Sequence, residues 1–186
     1  MLAAILMECP TEELVVADDV TLRDMAPGDV KVKIAHSGVC HSDLSAMNGT
    51  IPQAPPAVLG HEGAGVVTDV GDGVTHVVPG DHVIIAFSPP CGTCPFCTGR
   101  NQPNLCINGL IAMGSNPQFR RGDTVVGAMT GCGTFAEETI VPGMAAIKID
   151  KDVPLDVAAL VGCGVQIGRA LGLTPVTTPR RLPASA

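Results

Sequence analysis

The sequence has no tryptophan or tyrosine and only four phenylalanines among its 186 residues. It also has few basic residues, with 11 lysines and arginines against 18 aspartates and glutamates, which gives a net charge of −7. A nucleic-acid-binding surface needs a basic stripe and usually aromatic side chains on which bases can stack. These two shortages therefore argue against a protein that binds nucleic acid.

The start of the sequence also lacks the features of an export signal or a membrane span. The apolar residues 1–7 have no basic segment before them and are followed by Glu8 and Pro10. A membrane span takes about 20 apolar residues, and a signal peptide begins with positive charge. We therefore interpret residues 1–7 as a first β-strand, and we expect a cytoplasmic protein that does not bind membranes.

Glycine and proline are abundant instead, with 22 and 16 residues, and 46% of the chain is hydrophobic. Many short apolar segments bounded by Gly, Pro or Asp predict a mainly β (α+β) fold with short helices. Besides residues 1–7, strands are predicted at 31–35, 65–70, 82–87, 124–129, 134–141 and 145–149. Short helices are predicted from His41 and over 154–161, and residues 108–123 are interpreted as a loop.

Eight cysteines without an export signal indicate metal ligands more than disulfides. Four of them lie within residues 91–106, three at intervals that let successive thiolates converge on one ion: Cys91, Cys94, Cys97 and Cys106. This spacing predicts a closed, structural zinc site in a lobe over about 88–110. Free thiols or a redox pair are the alternative. Cys9 and Cys132 have no Cys or His near them in sequence and are interpreted as core residues.

Three separated turns carry further ligand types, at residues 38–43, 60–63 and 162–164. Two thiolates and one imidazole from these turns would leave the fourth position of a zinc ion open, as in catalytic sites. Singly, each residue has an ordinary interpretation. His61 could be a hydrogen-bonded core residue, Cys163 a small filler, Glu62 a solvated turn residue and Asp43 a helix cap.

Together, these motifs closely resemble the catalytic domain of the zinc-dependent medium-chain alcohol dehydrogenases. Residues 60–62, followed by Gly65, Gly71 and Val74, match the zinc signature of that family. The segments 38–43, 91–106, 133–137 and 162–165 follow the family order, so that the resemblance covers residues 1–165. It implies a GroES-like β-barrel catalytic domain with a zinc-binding lobe.

The resemblance also implies two zinc ions per chain and a role for each matching residue. The ligands of the catalytic zinc would be Cys40, His61 and Cys163, and those of the structural zinc Cys91, Cys94, Cys97 and Cys106. Asp43 would hydrogen-bond the ligating histidine and fix its tautomer. Glu62 would approach the zinc from behind and ligate it transiently.

Two further residues would handle the cofactor and the substrate proton. His41 occupies the position that contacts the cofactor pyrophosphate, and Ser42 the position that accepts the proton of the alcohol. The chain departs from well-known members at Ser45, where the relay histidine is expected, which leaves His41 or water to export that proton. The lobe also carries one residue more than usual between Cys97 and Cys106.

In this family, a small-molecule alcohol is oxidised to an aldehyde or ketone, and NAD or NADP bound to a Rossmann domain accepts the hydride. The Rossmann fingerprint needs Gly-x-Gly-x-x-Gly after a strand, with an acidic residue about 20 positions further on. Residues 162–168 contain glycines at the wrong final spacing, and no Asp or Glu follows Cys163. We expect a divergent, disordered tail over 166–186, as truncation before the nucleotide-binding domain would produce.

Such a chain would be inactive alone, and its apolar flank near Cys163 would be exposed and prone to self-association or chaperone binding. The alternative function is a stand-alone zinc-binding GroES-like interaction module without dehydrogenase activity. A zinc-free quinone reductase relative is a weaker third option, because all seven ligand positions are filled.

Overall fold

The strands form two curled sheets in the computed structural model, which describes residues 1–100, 102–112 and 116–168. Within those ranges the strands are β1 (Ala3–Leu6), β2 (Val15–Ala17), β3 (Val20–Leu22), β4 (Asp29–Gly38), β5 (Ala57–Val58), β6 (Glu62–Val70), β7 (His82–Ile85), β8 (Asn116–Arg121), β9 (Thr124–Ala128), β10 (Glu138–Pro142) and β11 (Ala146–Ile149). The helices are α1 (His41–Met47), α2 (Pro95–Thr98), α3 (Ile107–Ala112), α4 (Leu155–Ala159) and α5 (Gly164–Gly168). This mainly β architecture with short helices confirms the predicted fold class.

The first sheet has the order β2-β1-β5-β9-β8-β3, in which only the β5–β9 pair is parallel among the described strands. The second has the order β10-β4-β6-β7-β11 and is antiparallel throughout. Each sheet buries one face in its own apolar cluster, around Ile5 and Phe119 in the first and around Val32 and Ile85 in the second. Period-two alternation in β4 produces this directly, because Val30 and Val32 point inward between half-buried and exposed lysines.

Most predicted strands are confirmed, with bounds that differ by at most three residues. The exception is 134–141, where the strand begins only at Glu138. The preceding residues instead bond to both sheets, since Ala4 N–H donates to the Phe135 carbonyl at 2.8 Å and Ile34 N–H to the Glu137 carbonyl at 2.9 Å. The segment 134–137 therefore bridges the two sheets.

The prediction of a loop over 108–123 is wrong. Helix α3 and strand β8 occupy most of it, and Phe119 of β8 is fully buried. The polar composition does not reveal this strand, because its polar Gln118 is fully buried; the amide of Gln118 donates to the Gly131 carbonyl, and its Oε1 lies 3.3 Å from the Thr139 hydroxyl. Strands β2, β3 and β5, of two or three residues, are too short to give a periodic signal.

Helix α1 begins at His41 as predicted, and α4 follows Pro154 and leads into a 3₁₀ turn over Leu160–Gly162. Residues 166–168, where the divergent tail was expected to start, form the end of α5. The rest of that predicted tail lies outside the described residues. No helix in the described ranges is long and apolar enough to span a bilayer.

Candidate metal centres

Four cysteine sulfurs converge in the segment after β7, and we call this cluster the lobe centre: Cys91, Cys94, Cys97 and Cys106. The Sγ–Sγ distance is 3.5 Å for Cys94–Cys97, 3.8 Å for Cys94–Cys106 and 4.0 Å for Cys91–Cys97. Four thiolates bound tetrahedrally at about 2.3 Å from zinc would lie about 3.8 Å apart. The observed spacing therefore fits a zinc ion with little rearrangement.

Backbone turns bring these sulfurs together. Gly92 adopts a φ of 73°, which favours glycine, and Pro95 occupies the first turn of α2. Amide groups point at the sulfurs in the same turns. Cys94 N–H donates to Cys91 Sγ at 3.4 Å, and the N–H groups of Cys91 and Gly109 both donate to Cys106 Sγ at 3.2 Å.

These donors favour the thiolate form at two of the four positions. The Thr93 hydroxyl and backbone N–H, with the Cys94 N–H, lower the pKa of Cys91 to about 5. The N–H groups of Cys91 and Gly109 likewise lower the pKa of Cys106. Burial and the neighbouring Cys94 thiol instead raise the pKa of Cys97 to about 11. A bound divalent metal would displace such a proton, so metal affinity should depend on pH.

A second cluster lies beside β6, and we call it the barrel centre: Cys40, His61, Glu62 and Cys163. Its ligand atoms all lie within 4.8 Å of one another. Cys40 caps the N-terminus of α1, and His61 and Glu62 stand where β6 begins. Cys163 follows the 3₁₀ turn over Leu160–Gly162. The fold thus joins residues that are far apart in sequence.

Two glycines allow this close approach. A Cβ at Gly38 would overlap the carboxylate of Glu62, and one at Gly162 would lie 2.6 Å from the Ile85 carbonyl oxygen. Real side chains do not tolerate such distances, so any other residue at either position would push the elements apart. The glycines in these two motifs are therefore required by packing.

Asp43 holds the barrel centre from behind and is itself buried. Its Oδ2 accepts the Cys40 N–H at 2.9 Å, which closes a capping box, and its Oδ1 accepts the Gly60 N–H at 3.1 Å. The same Oδ1 lies 3.3 Å from His61 Nδ1, which has no well-aligned hydrogen bond among the described residues. Asp43 is thus both a helix cap and the carboxylate that faces the imidazole.

Charges within the barrel centre perturb one another. Burial opposes protonation of His61, but Asp43 and Cys40 outweigh it and raise the pKa of the imidazole. Burial also opposes ionisation of Cys40, but hydrogen bonds from Ser42 and the nearby His61 lower the pKa of that thiol overall. For Cys163, burial and the neighbouring charges of Cys40 and Glu62 raise the pKa to about 12. A divalent cation would relieve this crowding of anionic groups.

Two residues of α1 with predicted catalytic roles lie beside the centre. The hydroxyl of Ser42 is 3.6 Å from Cys40 Sγ, and the exposed His41 makes a hydrogen bond of 3.2 Å from Nδ1 to Ser45 Oγ. Ser45 is buried. Sequence analysis noted Ser45 only as a departure from the family pattern, and its contact with His41 follows from their spacing of one helical turn.

The two remaining cysteines lie outside both centres. Cys132 is buried beside Ala86, and burial raises the pKa of its thiol to about 12. Cys9 is half-buried and packs against the small apolar cluster around Leu6 and Leu59. Neither thiol is placed to take part in metal binding.

Comparison with known proteins places this domain. A family model described as the alcohol dehydrogenase GroES-like domain matches residues 26–151. The chain belongs to this family. It is 47% identical over 149 residues to the NDMA-dependent alcohol dehydrogenase of Amycolatopsis methanolica. This alignment covers 77% of this chain and 40% of that relative. It is 43% identical over 156 residues to the S-(hydroxymethyl)glutathione dehydrogenase of Photobacterium damsela subsp. piscicida, covering 78% of this chain and 42% of that relative.

A solved structure agrees with this assignment. The alcohol dehydrogenase zinc-binding domain protein from Burkholderia ambifaria superposes with a TM-score of 0.82 at 29% identity, over 90% of this chain and 46% of that one. The predicted GroES-like alcohol dehydrogenase fold is therefore confirmed, and by family the chain is enzyme-related. The chain spans less than half of the length of each of these relatives.

Proposed function

We propose that this chain is the catalytic domain of a zinc-dependent alcohol dehydrogenase, which oxidises a small-molecule alcohol to an aldehyde or ketone with NAD or NADP. The observation that carries the proposal is the convergence of Cys40, His61 and Cys163 with Glu62 in the barrel centre. Relatives named as alcohol dehydrogenases support it. The domain assigned to this activity is residues 1–165.

The residues of the barrel centre suit zinc. Two thiolates and a neutral imidazole are a donor set of catalytic zinc sites, and they balance the charge of the ion. Asp43 facing Nδ1 would fix the tautomer that leaves Nε2 of His61 free to ligate. Glu62 is close enough to act as a fourth group when substrate is absent. Zinc held there would supply the Lewis acid that lowers the pKa of a substrate hydroxyl, and NAD(P) would supply the hydride acceptor.

The side chains of α1 would handle the substrate proton. Ser42 Oγ stands beside Cys40 Sγ and is the hydroxyl that would accept the proton of the alcohol while releasing its own. His41 is next in the helix and exposed, and Ser45 holds its ring, so that the released proton can pass to His41 or to water. His41 would also contact the pyrophosphate of the cofactor.

The lobe centre would hold a second zinc with a structural role. All four of its groups are cysteines in one short segment, and four thiolate ligands would leave no open position for substrate. Its task would be to order the lobe over about 88–110.

The nucleotide-binding site of the whole enzyme would lie in a further domain, since no dinucleotide fingerprint occurs in the 186 residues. We expect these residues alone to bind metal without oxidising alcohol. A zinc-binding interaction module without dehydrogenase activity is the second candidate, and the exposed apolar side chains on either side of Cys163 favour it. Exposed apolar side chains next to the barrel centre support self-association through this flank: Val39, Leu160 and Val165 are 81%, 47% and 48% exposed.

Metal analysis of purified protein tests the proposal. Two zinc ions per chain are expected, one after His61→Ala, and two after the matched core substitution Cys132→Ala. At most one zinc per chain, unaffected by His61→Ala, would refute a metal site at the barrel centre. Alcohol-dependent NADH or NADPH formation by the 186 residues alone would contradict the expected inactivity. Sedimentation as a stable monomer would contradict self-association.

A further inference from the structure

Two glycines flank His61 and Glu62, and one side chain fills the space beside both glycines. A Cβ at Gly60 would lie 2.5 Å from Phe135 Cδ1 and 2.6 Å from Thr134 Oγ1, and a Cβ at Gly63 would lie 2.6 Å from Thr134 Cγ2. All three distances are shorter than real side chains show, so the hydroxyl of Thr134 packs on Gly60 together with Phe135, and its methyl group packs on Gly63. Thr134 thus packs against the segment 60–63, which leads into β6 and carries two of the barrel-centre residues.

Thr134 is held in this position by hydrogen bonds and is 1% exposed. Its Oγ1 makes a hydrogen bond of 2.7 Å with Ser37 Oγ, and its backbone N–H donates to the Gly60 carbonyl at 3.0 Å. Ser37 in turn pairs with Gly63 across β4 and β6. Thr134 and Ser37, joined by their hydroxyls, therefore link β4 to both ends of the segment 60–63.

The backbone that carries Thr134 is itself fixed by both sheets. The Phe135 carbonyl accepts from Ala4 of β1, and the Glu137 carbonyl accepts from Ile34 of β4. Phe135 also packs against the apolar cluster of the first sheet. Because the segment 134–137 is hydrogen-bonded to both sheets, Thr134 cannot easily move away if the segment 60–63 shifts toward it.

We propose that Thr134, with Ser37, is a positioning residue for the barrel centre. It sets the backbone of residues 60–63 so that His61 and Glu62 face Cys40 and Cys163. Thr134 does not itself touch the metal. Metal-binding constellations must be held to within about 0.5 Å, so the loss of such a support lowers metal affinity even though every ligand is present. The inference rests on the proposed metal binding at this centre.

Cobalt titration of the full 186-residue chain tests this role. The barrel-centre signal is the Co²⁺ absorption that wild type shows and His61→Ala lacks. Thr134→Val, which keeps the methyl group and removes the hydroxyl, should weaken Co²⁺ binding there by about tenfold or more. Thr134→Ser should stay within about threefold of wild type, since it keeps the hydrogen bond to Ser37.

Thr139→Val is the matched control, because Thr139 is also fully buried and its hydroxyl donates to a backbone carbonyl, that of Cys132. It should lower stability without changing barrel-centre affinity, and neither valine variant should change the lobe-centre signal. Equal Co²⁺ affinity of Thr134→Val and wild type would overturn the inference and leave the proposed function intact. A wild-type chain that binds Co²⁺ at the lobe centre alone would overturn both.

A compensating pair tests the packing directly. Gly63→Ala places a methyl group against Thr134 Cγ2 and should weaken the barrel-centre Co²⁺ signal by about tenfold or more. Gly63→Ala combined with Thr134→Ser removes that Cγ2 and should recover at least about threefold of the loss. A double variant as weak as Gly63→Ala alone would contradict the contact through which Thr134 is proposed to act.

Discussion

The lobe over 88–110 and the barrel formed by the two sheets bury very different amounts of apolar side chain. Among the lobe residues that the structure describes, only Cys106 and Gly109 are buried, while Leu105 and Ile107 are 49% and 56% exposed. In the barrel, large side chains such as Phe119 and Ile85 are fully buried. Burial of apolar surface can hold the barrel together, but it cannot hold the lobe. We therefore expect the lobe to need a bound metal ion for a fixed structure.

The two centres also differ in how they carry negative charge. In the lobe centre, N–H and hydroxyl donors lower the pKa of Cys91 and Cys106 before any metal is considered. In the barrel centre, the anions Cys40 and Glu62 help to raise the pKa of Cys163. Donors thus favour the thiolate at two positions of the lobe centre, although the pKa of Cys97 is raised to about 11. The barrel centre instead brings three acidic groups and one imidazole within 4.8 Å of one another, which agrees with the proposed open metal site.

Chelation should give the largest difference between the two regions. Removal of zinc with a strong chelator should raise the amide hydrogen-exchange rates of the lobe by about a thousandfold or more, because structural zinc contributes several kcal/mol or more to folding. The strands of the barrel should keep their protection. Hydrogen exchange followed by mass spectrometry resolves the two regions.

His61→Ala protein is the control for the chelation experiment, since its lobe centre is intact and its lobe should lose protection in the same way. Full protection of residues 91–106 without metal would show that the lobe has a core of its own. Equal loss in the barrel would show that its fold also depends on metal.

Apolar deletions should give the reverse pattern. Phe119→Ala removes a fully buried side chain from the first sheet and should lower the free energy of unfolding by about 3–5 kcal/mol. Phe96→Ala removes a half-buried ring in the lobe, where Arg100 stacks at 5.2 Å, and should cost less than about 1 kcal/mol. Urea unfolding of zinc-saturated protein measures both.

Phe119→Leu is a milder variant in case Phe119→Ala is too unstable to measure. It should lose clearly less unfolding free energy than Phe119→Ala. A Phe96→Ala loss comparable to that of Phe119→Ala would remove the distinction between a metal-held lobe and a packed barrel.

The same difference explains what the sequence could predict. The lobe centre follows from local spacing, because all four cysteines lie in one short segment. The barrel centre joins distant turns, so its residues were linked only through the resemblance to a family. Local periodicity also located β4, β6 and β7, where apolar side chains alternate or run together.

Long-range contacts account for what was missed. The polar composition of strand β8 predicts a loop. In the folded chain its buried Gln118 is satisfied by Gly131 and Thr139, two partners that local composition does not reveal. Thr134 lies in the segment 133–137, which matches the family order, but its role depends on Gly60 and Gly63, which meet it only in the folded chain. The two glycines on either side of His61 and Glu62 were the one available sign of a close approach.

The smallest expected effect tests whether charge adds to packing in the barrel. Asp81, before β7, accepts the Val78 N–H at 3.0 Å and lies 2.8 Å from Lys148 Nζ of β11. The hydrogen bond from Lys148, then that from Val78, lowers the pKa of Asp81 in the folded state. Its stabilisation is therefore present above the unfolded pKa of about 3.9 and is lost as the pH falls through the folded value.

Asp81→Asn should accordingly destabilise the protein at pH 7 by less than either Phe119→Ala or Phe96→Ala. Its difference in stability from wild type should shrink as the pH drops below about 4. Metal loss in acid affects both proteins and cancels in the difference. Lys148→Met should show the same pH dependence, and the double variant should lose less than the sum of the two, because the pair is broken only once. A difference between Asp81→Asn and wild type that is as large at pH 3 as at pH 7 would mean that the Val78 contact, and not the ionised pair, stabilises this edge of the barrel.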